Sequence, residues 1–299
     1  MNISRPRSGA WRALLPLLLV AWTAAAQAQV NVTLNIKRRL FIAAEPVIAT
    51  VTIVNNTGRD IMLADTEEGK QWFSFQVIGP EGRQIPPRDA NYELQPLPIK
   101  AGETVKRSVN LHELYQLGDL GAFRATASIY LASAAKWFTS KPDAFDVTEG
   151  RLVFRQTVGI PDRPEKSPAN RTFSLLTLEH DKGKMLYVRV TGEEDGFTYG
   201  CYNLGRILDG NTPDAKFDSG NNLAILQPTA RKEYILTRVG VNGNFVGQSM
   251  YTSIKSPPFL RKLPDGALQI VGAVRQEPVA QVSLEDAPKL SDRPPGFPK

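Results

Sequence analysis

At residues 112–116 the chain reads His-Glu-Leu-Tyr-Gln, one residue short of H-E-x-x-H. On a helix, that motif sets two imidazoles four residues apart on one face. They share a zinc ion there, and the Glu acts as general base. In this chain Gln116, a poor zinc ligand, stands where the second His should be. Gly118 and Gly121 then close the segment, which leaves too little length for a long helix. One other histidine exists, His180, and one cysteine, Cys201. Structural zinc sites use about four Cys or His ligands, and catalytic sites commonly two or three His. No metal and no cofactor are expected on this ligand arithmetic.

Other chemistry-bearing residues are equally sparse. Cys201 lies between Gly200 and Tyr202 in a strand-like run, the setting of a small buried side chain. Asp209, Asn211 and Asp214 have oxygen ligands at calcium-loop-like spacing, but the terminal Glu is missing, so a turn is expected. Glu193, Glu194 and Asp195 are adjacent, which suits a solvated hairpin tip whose carboxylates diverge. There is no G-x-S-x-G elbow and no Walker-type loop. His180 precedes a turn and reads as exposed. No catalytic residue is assigned. Two carboxylates distant in sequence could still serve a glycosidase without leaving any motif. Among the aromatics, Trp72 reads as core. Trp137 and Phe138, between "SAAK" and "TSKPD", read as an exposed loop and are the candidate ligand contacts, suited to stacking on a sugar ring.

The N-terminus reads as an export signal over residues 1–28. Arg5, Arg7 and Arg12 precede the apolar run Ala13 to Ala26, and Ala26-Gln27-Ala28 offers a cleavage site. Pro16 interrupts the apolar run, which favours a cleaved signal over an anchor. No later stretch is apolar enough to span a membrane. The expected location is periplasmic or extracellular. Removing three arginines from 36 basic residues leaves 33 against 30 acidic ones, a net charge of +3. Basic residues do not interleave with aromatics in a stripe, so a nucleic-acid partner is not expected. One cysteine permits no intrachain disulfide, and 271 residues are enough for a core to hold the fold alone.

Hydrophobic periodicity supplies the scaffold. Val30, Val32, Leu34 and Ile36 alternate with polar residues, as do Val47, Ala49, Val51 and Ile53. The second run stops at Asn55-Asn56-Thr57-Gly58, a turn signal. Further strands are read at 72–78, through Val105 to Val109, and through Phe123, Ala125, Ala127 and Ile129. A closing strand or hairpin is read in "FDVTEGRLVFRQTVGI". Short strands separated by turns, with no long amphipathic helix, predict an all-β chain with an N-terminal β-sandwich over 29–160.

Three segments of that stretch, "EPVIATVTIVNNTGRDI", "PIKAGETVKRSVNL" and "LYQLGDLGAFRATASIY", make residues 30–160 resemble bacterial immunoglobulin-like domains of the macroglobulin type. The last segment matches their corner pattern with Leu111, Tyr115, Leu117, Gly121, Phe123 and Ala125. The resemblance implies a sandwich and no particular task. It also replaces the metal reading of His112 with a tyrosine corner, in which the Tyr115 ring packs inward and its hydroxyl bonds to backbone.

The run "PDRPEKSPAN" (161–170) reads as a linker to a second antiparallel β domain over 171–275. Within that domain, "PDAKFDSGNNLAIL" (213–226) aligns with "PFLRKLPDGALQIV" (258–271) at an offset of 45. Residues 186–202 likewise align with 234–251, allowing small gaps. The period is similar to that of β-propeller repeats, but a closed propeller needs at least about four blades. Two related four-stranded units packed face to face, or a meander sheet, are expected. The Pro-rich tail 276–299 is expected to be disordered. Three function classes follow. The first is a non-catalytic exported binding or scaffold protein with a protein or carbohydrate partner. The second is a β-fold hydrolase using scattered carboxylates, and the third is a structural module of an envelope assembly. The lack of a nucleophile, metal or phosphate motif favours the first. The sequence does not set the oligomeric state.

Overall fold

The computed structural model describes residues 29–88, 95–161, 170–181 and 183–276. The expected signal over 1–28, nearly all of the run 161–170 and the expected disordered tail after Gln276 lie outside the described residues. The chain divides between Glu149 and Gly150 into two compact units, and both are built almost wholly of antiparallel sheet.

The first unit contains β1 (Val30–Ile36), β2 (Leu40–Ile42), β3 (Ile48–Asn55), β4 (Ile61–Leu63), β5 (Phe73–Ile78), β6 (Gln84–Ile85), β7 (Leu97–Ile99) and β8 (Thr104–Asn110). The one-turn helix α1 (Leu111–Leu114) comes next. After it run β9 (Gly121–Leu131), β10 (Lys136–Thr139) and β11 (Asp143–Thr148). One sheet has the order β1-β3-β8. A second has the order β2-β11-β9-β5-β6, with β10 also pairing with β9, and β4 pairs with β7. Period-two alternation sets which face is buried. Val51 and Ile53 from the first sheet meet Phe73, Val77, Phe123, Ala127 and Phe145 from the second in one core. Phe123 stacks on Phe145 with ring centres 5.3 Å apart, and Phe41 meets Phe145 edge-on at 5.8 Å. The two faces over one core make this unit a β-sandwich. Trp72 belongs to that core and is fully buried.

Asn55 ends β3 as the turn signal predicts. Its buried amide donates to the carbonyls of Arg59, Ile99 and Lys100, and its Oδ1 accepts from the Thr57 amide and hydroxyl. One side chain therefore fixes the turn and ties it to the β7–β8 connection.

The second unit begins earlier than the sequence suggests. It contains β12 (Arg151–Gly159), β13 (Asn170–His180), β14 (Gly183–Gly192) and β15 (Thr198–Arg206), which form a meander sheet. A second sheet is formed by β16 (Asp214–Phe217), β17 (Leu223–Pro228), β18 (Glu233–Val239) and β19 (Phe245–Ser253). A two-stranded hairpin, β20 (Phe259–Lys262) and β21 (Leu268–Val271), follows. β22 (Ala273–Arg275) then returns to pair with β19. The strand expected to close the first domain, β12, instead pairs along its length with β13, from Arg151↔Thr177 to Gly159↔Asn170. Phe154 and Val158 pack against the core of the second unit. The Pro-rich run thus connects two neighbouring strands of one sheet, and the boundary falls before it.

The two segments aligned at an offset of 45 both form hairpins. β16 and β17 pair from Asp214↔Leu226 to Phe217↔Leu223. Forty-five residues on, β20 and β21 pair from Phe259↔Val271 to Lys262↔Leu268, in the same register. The second alignment carries a shared irregularity. The register slips between Val190↔Gly200 and Thr191↔Thr198 in one hairpin, and between Arg238↔Gly247 and Val239↔Phe245 in the other. Within this second unit, successive sheets stack. Phe173, Val188 and Val190 pack on Leu223 and Ile225, while Leu260 of the last hairpin packs on Ala224 and Leu226 across the same strand. All six residues of β17 are therefore buried, which explains its nearly unbroken apolar sequence.

Candidate functional site

The half-motif at His112 resolves into a corner. Asn110 caps α1 by accepting from the His112 amide, and the helix stops at Leu114. Tyr115 is extended, with φ −128° and ψ 151°, so Gln116 does not continue the helical face that carries His112. The Tyr115 ring is buried, and its hydroxyl donates to the Phe75 carbonyl at 2.7 Å. Leu111 and Leu117 are buried on either side of it. The bond crosses from the β8–β9 connection to β5, so it ties the corner to the strand that pairs with β9 in the larger sheet.

Burial pushes the His112 imidazole below its usual range. The nearby Arg88 guanidinium adds to this and Glu113 opposes it. In the unfolded chain His112 keeps its ordinary pKa, so the unfolded state binds more protons in the window below about 6.5. Stability from this group is present above that pH and declines as pH falls through the depressed folded value. We expect the melting temperature to drop less in His112→Gln than in the wild type when pH is lowered from about 7.5 to about 5.5. Equal drops in paired thermal melts would assign the pH sensitivity elsewhere.

The remaining sequence candidates are scattered. Cys201 is buried on β15. Glu193 accepts from the Asn170 side chain, while Asp195 accepts from the Phe197 amide and the Tyr199 hydroxyl, so these carboxylates diverge. The Tyr199 hydroxyl, followed by the Phe197 amide, holds the Asp195 carboxyl below the usual range. Asp209 pairs with Lys184 at 3.2 Å, and Asp214 accepts from the Leu260 amide at 2.6 Å. Asn211 donates its side-chain amide to the Asp209 carbonyl at 3.1 Å, so all three oxygen-bearing residues of the calcium-like run are engaged within the fold. His180 is half-buried rather than exposed, because its Nε2 lies 2.9 Å from the hydroxyl of the buried Tyr187.

Trp137 and Phe138 are not in a loop. They lie on β10, which pairs with β9 through Trp137↔Tyr130 and Phe138↔Ile129. The hairpin turns through Ala132–Ala134 and Ala135, whose φ of 47° is left-handed. Alternation then separates the two rings. Phe138 turns inward against the sandwich core, and Trp137 turns outward, 44% exposed. Trp137 leans on Tyr130 with ring centres 5.1 Å apart at 48°, and the Lys70 ammonium lies 5.3 Å from the centre of the Tyr130 ring. Tyr130 is itself only 8% exposed, so it is a fixed floor beneath a half-free indole. Sequence reading missed Tyr130 and Lys70; cross-strand pairing, which is not local, brings them to Trp137.

No protein-family model matches the chain, and no curated protein matches it. Among solved structures it is similar to the crystal structure of Spo0M, a sporulation control protein from Bacillus subtilis. The identity is 10%, over 58% of this chain and 83% of that one, with a TM-score of 0.26. A likeness at that level carries no argument about the site.

Proposed function

We propose that this is an exported, non-catalytic binding protein whose first unit is an immunoglobulin-type sandwich presenting Trp137 to a partner in the cell envelope. The observation that carries the reading is the Trp137–Tyr130–Lys70 cluster. A large indole is held half-exposed on a rigid strand, on a ring that is itself buried. Exposing a Trp forgoes the burial that would favour it in a core, and such exposed anchors dominate binding surfaces. The strand orders support the immunoglobulin-type assignment: β1-β3-β8 faces β11-β9-β5, and a tyrosine corner leads into β9. The signal pattern of residues 1–28 supports export.

Fractionation of the native host tests the proposal. Wild-type protein should sediment with the envelope. Trp137→Ala, folded as judged by its melt, should move to the soluble fraction, with at least about a tenfold loss of retention. Equal partition of the two proteins would remove Trp137 from any binding role.

A further inference from the structure

We infer that the outward face of the β10-β9-β5 sheet binds a neutral polysaccharide, with Trp137 as the stacking ring; this rests on the binding reading of the same site. Inward residues of β9 alternate with outward ones, so the outward positions form rows across the strands. The first row is Trp137 and Tyr130. The next is Thr139, Ser128 and Ser74, in register across three strands. A third pairs Thr126 with Gln76. Rows two residues apart are separated by roughly 7 Å, so the three rows span about 14 Å of sheet.

The chemistry of these rows is uniform after the first. Each offers hydroxyl or amide groups and no formal charge. Ser128 Oγ and Thr139 Oγ1 lie 3.2 Å apart, and Gln76 Nε2 donates to Gln84 at 3.4 Å. A hydroxyl has one donor and two lone pairs, and an amide has two donors and two lone pairs, so these contacts leave capacity for a ligand. A sugar presents the complementary set, an apolar C–H face for the indole and hydroxyls that both donate and accept. The charge pattern decides against an anionic polymer. Lys70 flanks the aromatic row at one end, and Arg124 follows the third row at the other. The intervening rows give no cation for a repeated carboxylate or sulfate, and Asp146 stands outward on neighbouring β11.

Affinity electrophoresis of the full chain tests the inference. The gels contain hydroxyethyl cellulose, xylan, a β-1,3-glucan or a soluble α-glucan as neutral probes, and alginate or heparin as anionic ones. At least one neutral probe should retard the wild type. Trp137→Ala should lose that retardation, with the apparent Kd raised about tenfold or more. Gln76→Glu, near-isosteric and exposed, should weaken it as well. Retardation by the anionic probes alone overturns the inference, as does neutral retardation that Trp137→Ala leaves intact. If no probe retards the protein while envelope retention still depends on Trp137, the polysaccharide inference fails and the binding reading stands. If envelope retention ignores Trp137, the binding reading fails first.

Discussion

A protein comprising residues 150–299 should melt cooperatively as a β domain, whereas one beginning at residue 168 should not. The difference is β12. Eight of its nine residues pair with β13, and it contributes Phe154 and Val158 to the core that holds Phe173, Val188 and Ile225. Removing it uncovers one side of those side chains and leaves the eleven-residue β13 as a raw edge. Burying a large apolar side chain is worth about 1.5–3 kcal/mol, so two half-buried ones plus a lost ladder approach the whole stability of a small domain. Edge exposure adds an aggregation route. The matching fragment 29–149 should fold, and 29–160 should carry an unpaired apolar strand bearing Leu152 and Val153. Circular dichroism melts and light scattering on the four fragments make the comparison. Cooperative melting of 168–299 would show that β12 is dispensable and that the division lies at the Pro-rich run.

Tyr115→Phe should destabilise the first unit by about 1–3 kcal/mol, and Tyr115→Ala by about 3–5 kcal/mol. The first change removes only the hydroxyl and strands the Phe75 carbonyl without the donor it now receives at 2.7 Å. The second also empties the volume of a buried ring between Leu111 and Leu117. Chemical denaturation of the 29–149 fragment separates the two effects. A Phe variant as stable as the wild type would mean the hydroxyl bond contributes nothing, and the corner would then be held by packing alone.

The legible part of the fold is the part written locally. Period-two alternation located β1, β3, β5 and β9 and gave their buried faces. Asn55 and Gly58 marked a turn that the structure uses, with Gly58 at φ 74°. The two segments aligned at an offset of 45 form hairpins of the same pairing register. Partner choice was not legible. Proline content shows that 161–170 cannot continue a strand, but it cannot tell a linker between domains from a loop between two paired strands. The β9–β10 hairpin was hidden for a different reason. Its turn is built from alanines, with Ala135 taking a left-handed conformation that Gly or Asn ordinarily marks. Without that mark, Trp137 read as part of a loop. Alternation along β10 then sends Phe138 inward, which sequence placed beside Trp137 as a second contact.

Steady-state quenching of tryptophan fluorescence by acrylamide puts the binding claim to its most direct test. In protein lacking residues 1–28, two tryptophans remain, Trp72 and Trp137. Trp72 is fully buried and gives an unquenched background, while Trp137, 44% exposed, supplies the quenchable signal. Envelope material from the native host, added until the protein is saturably bound, should protect Trp137 and bring quenching down to the level of a Trp137→Phe variant. Bound protein whose Trp137 stays as accessible to acrylamide as in the free state would contradict the account.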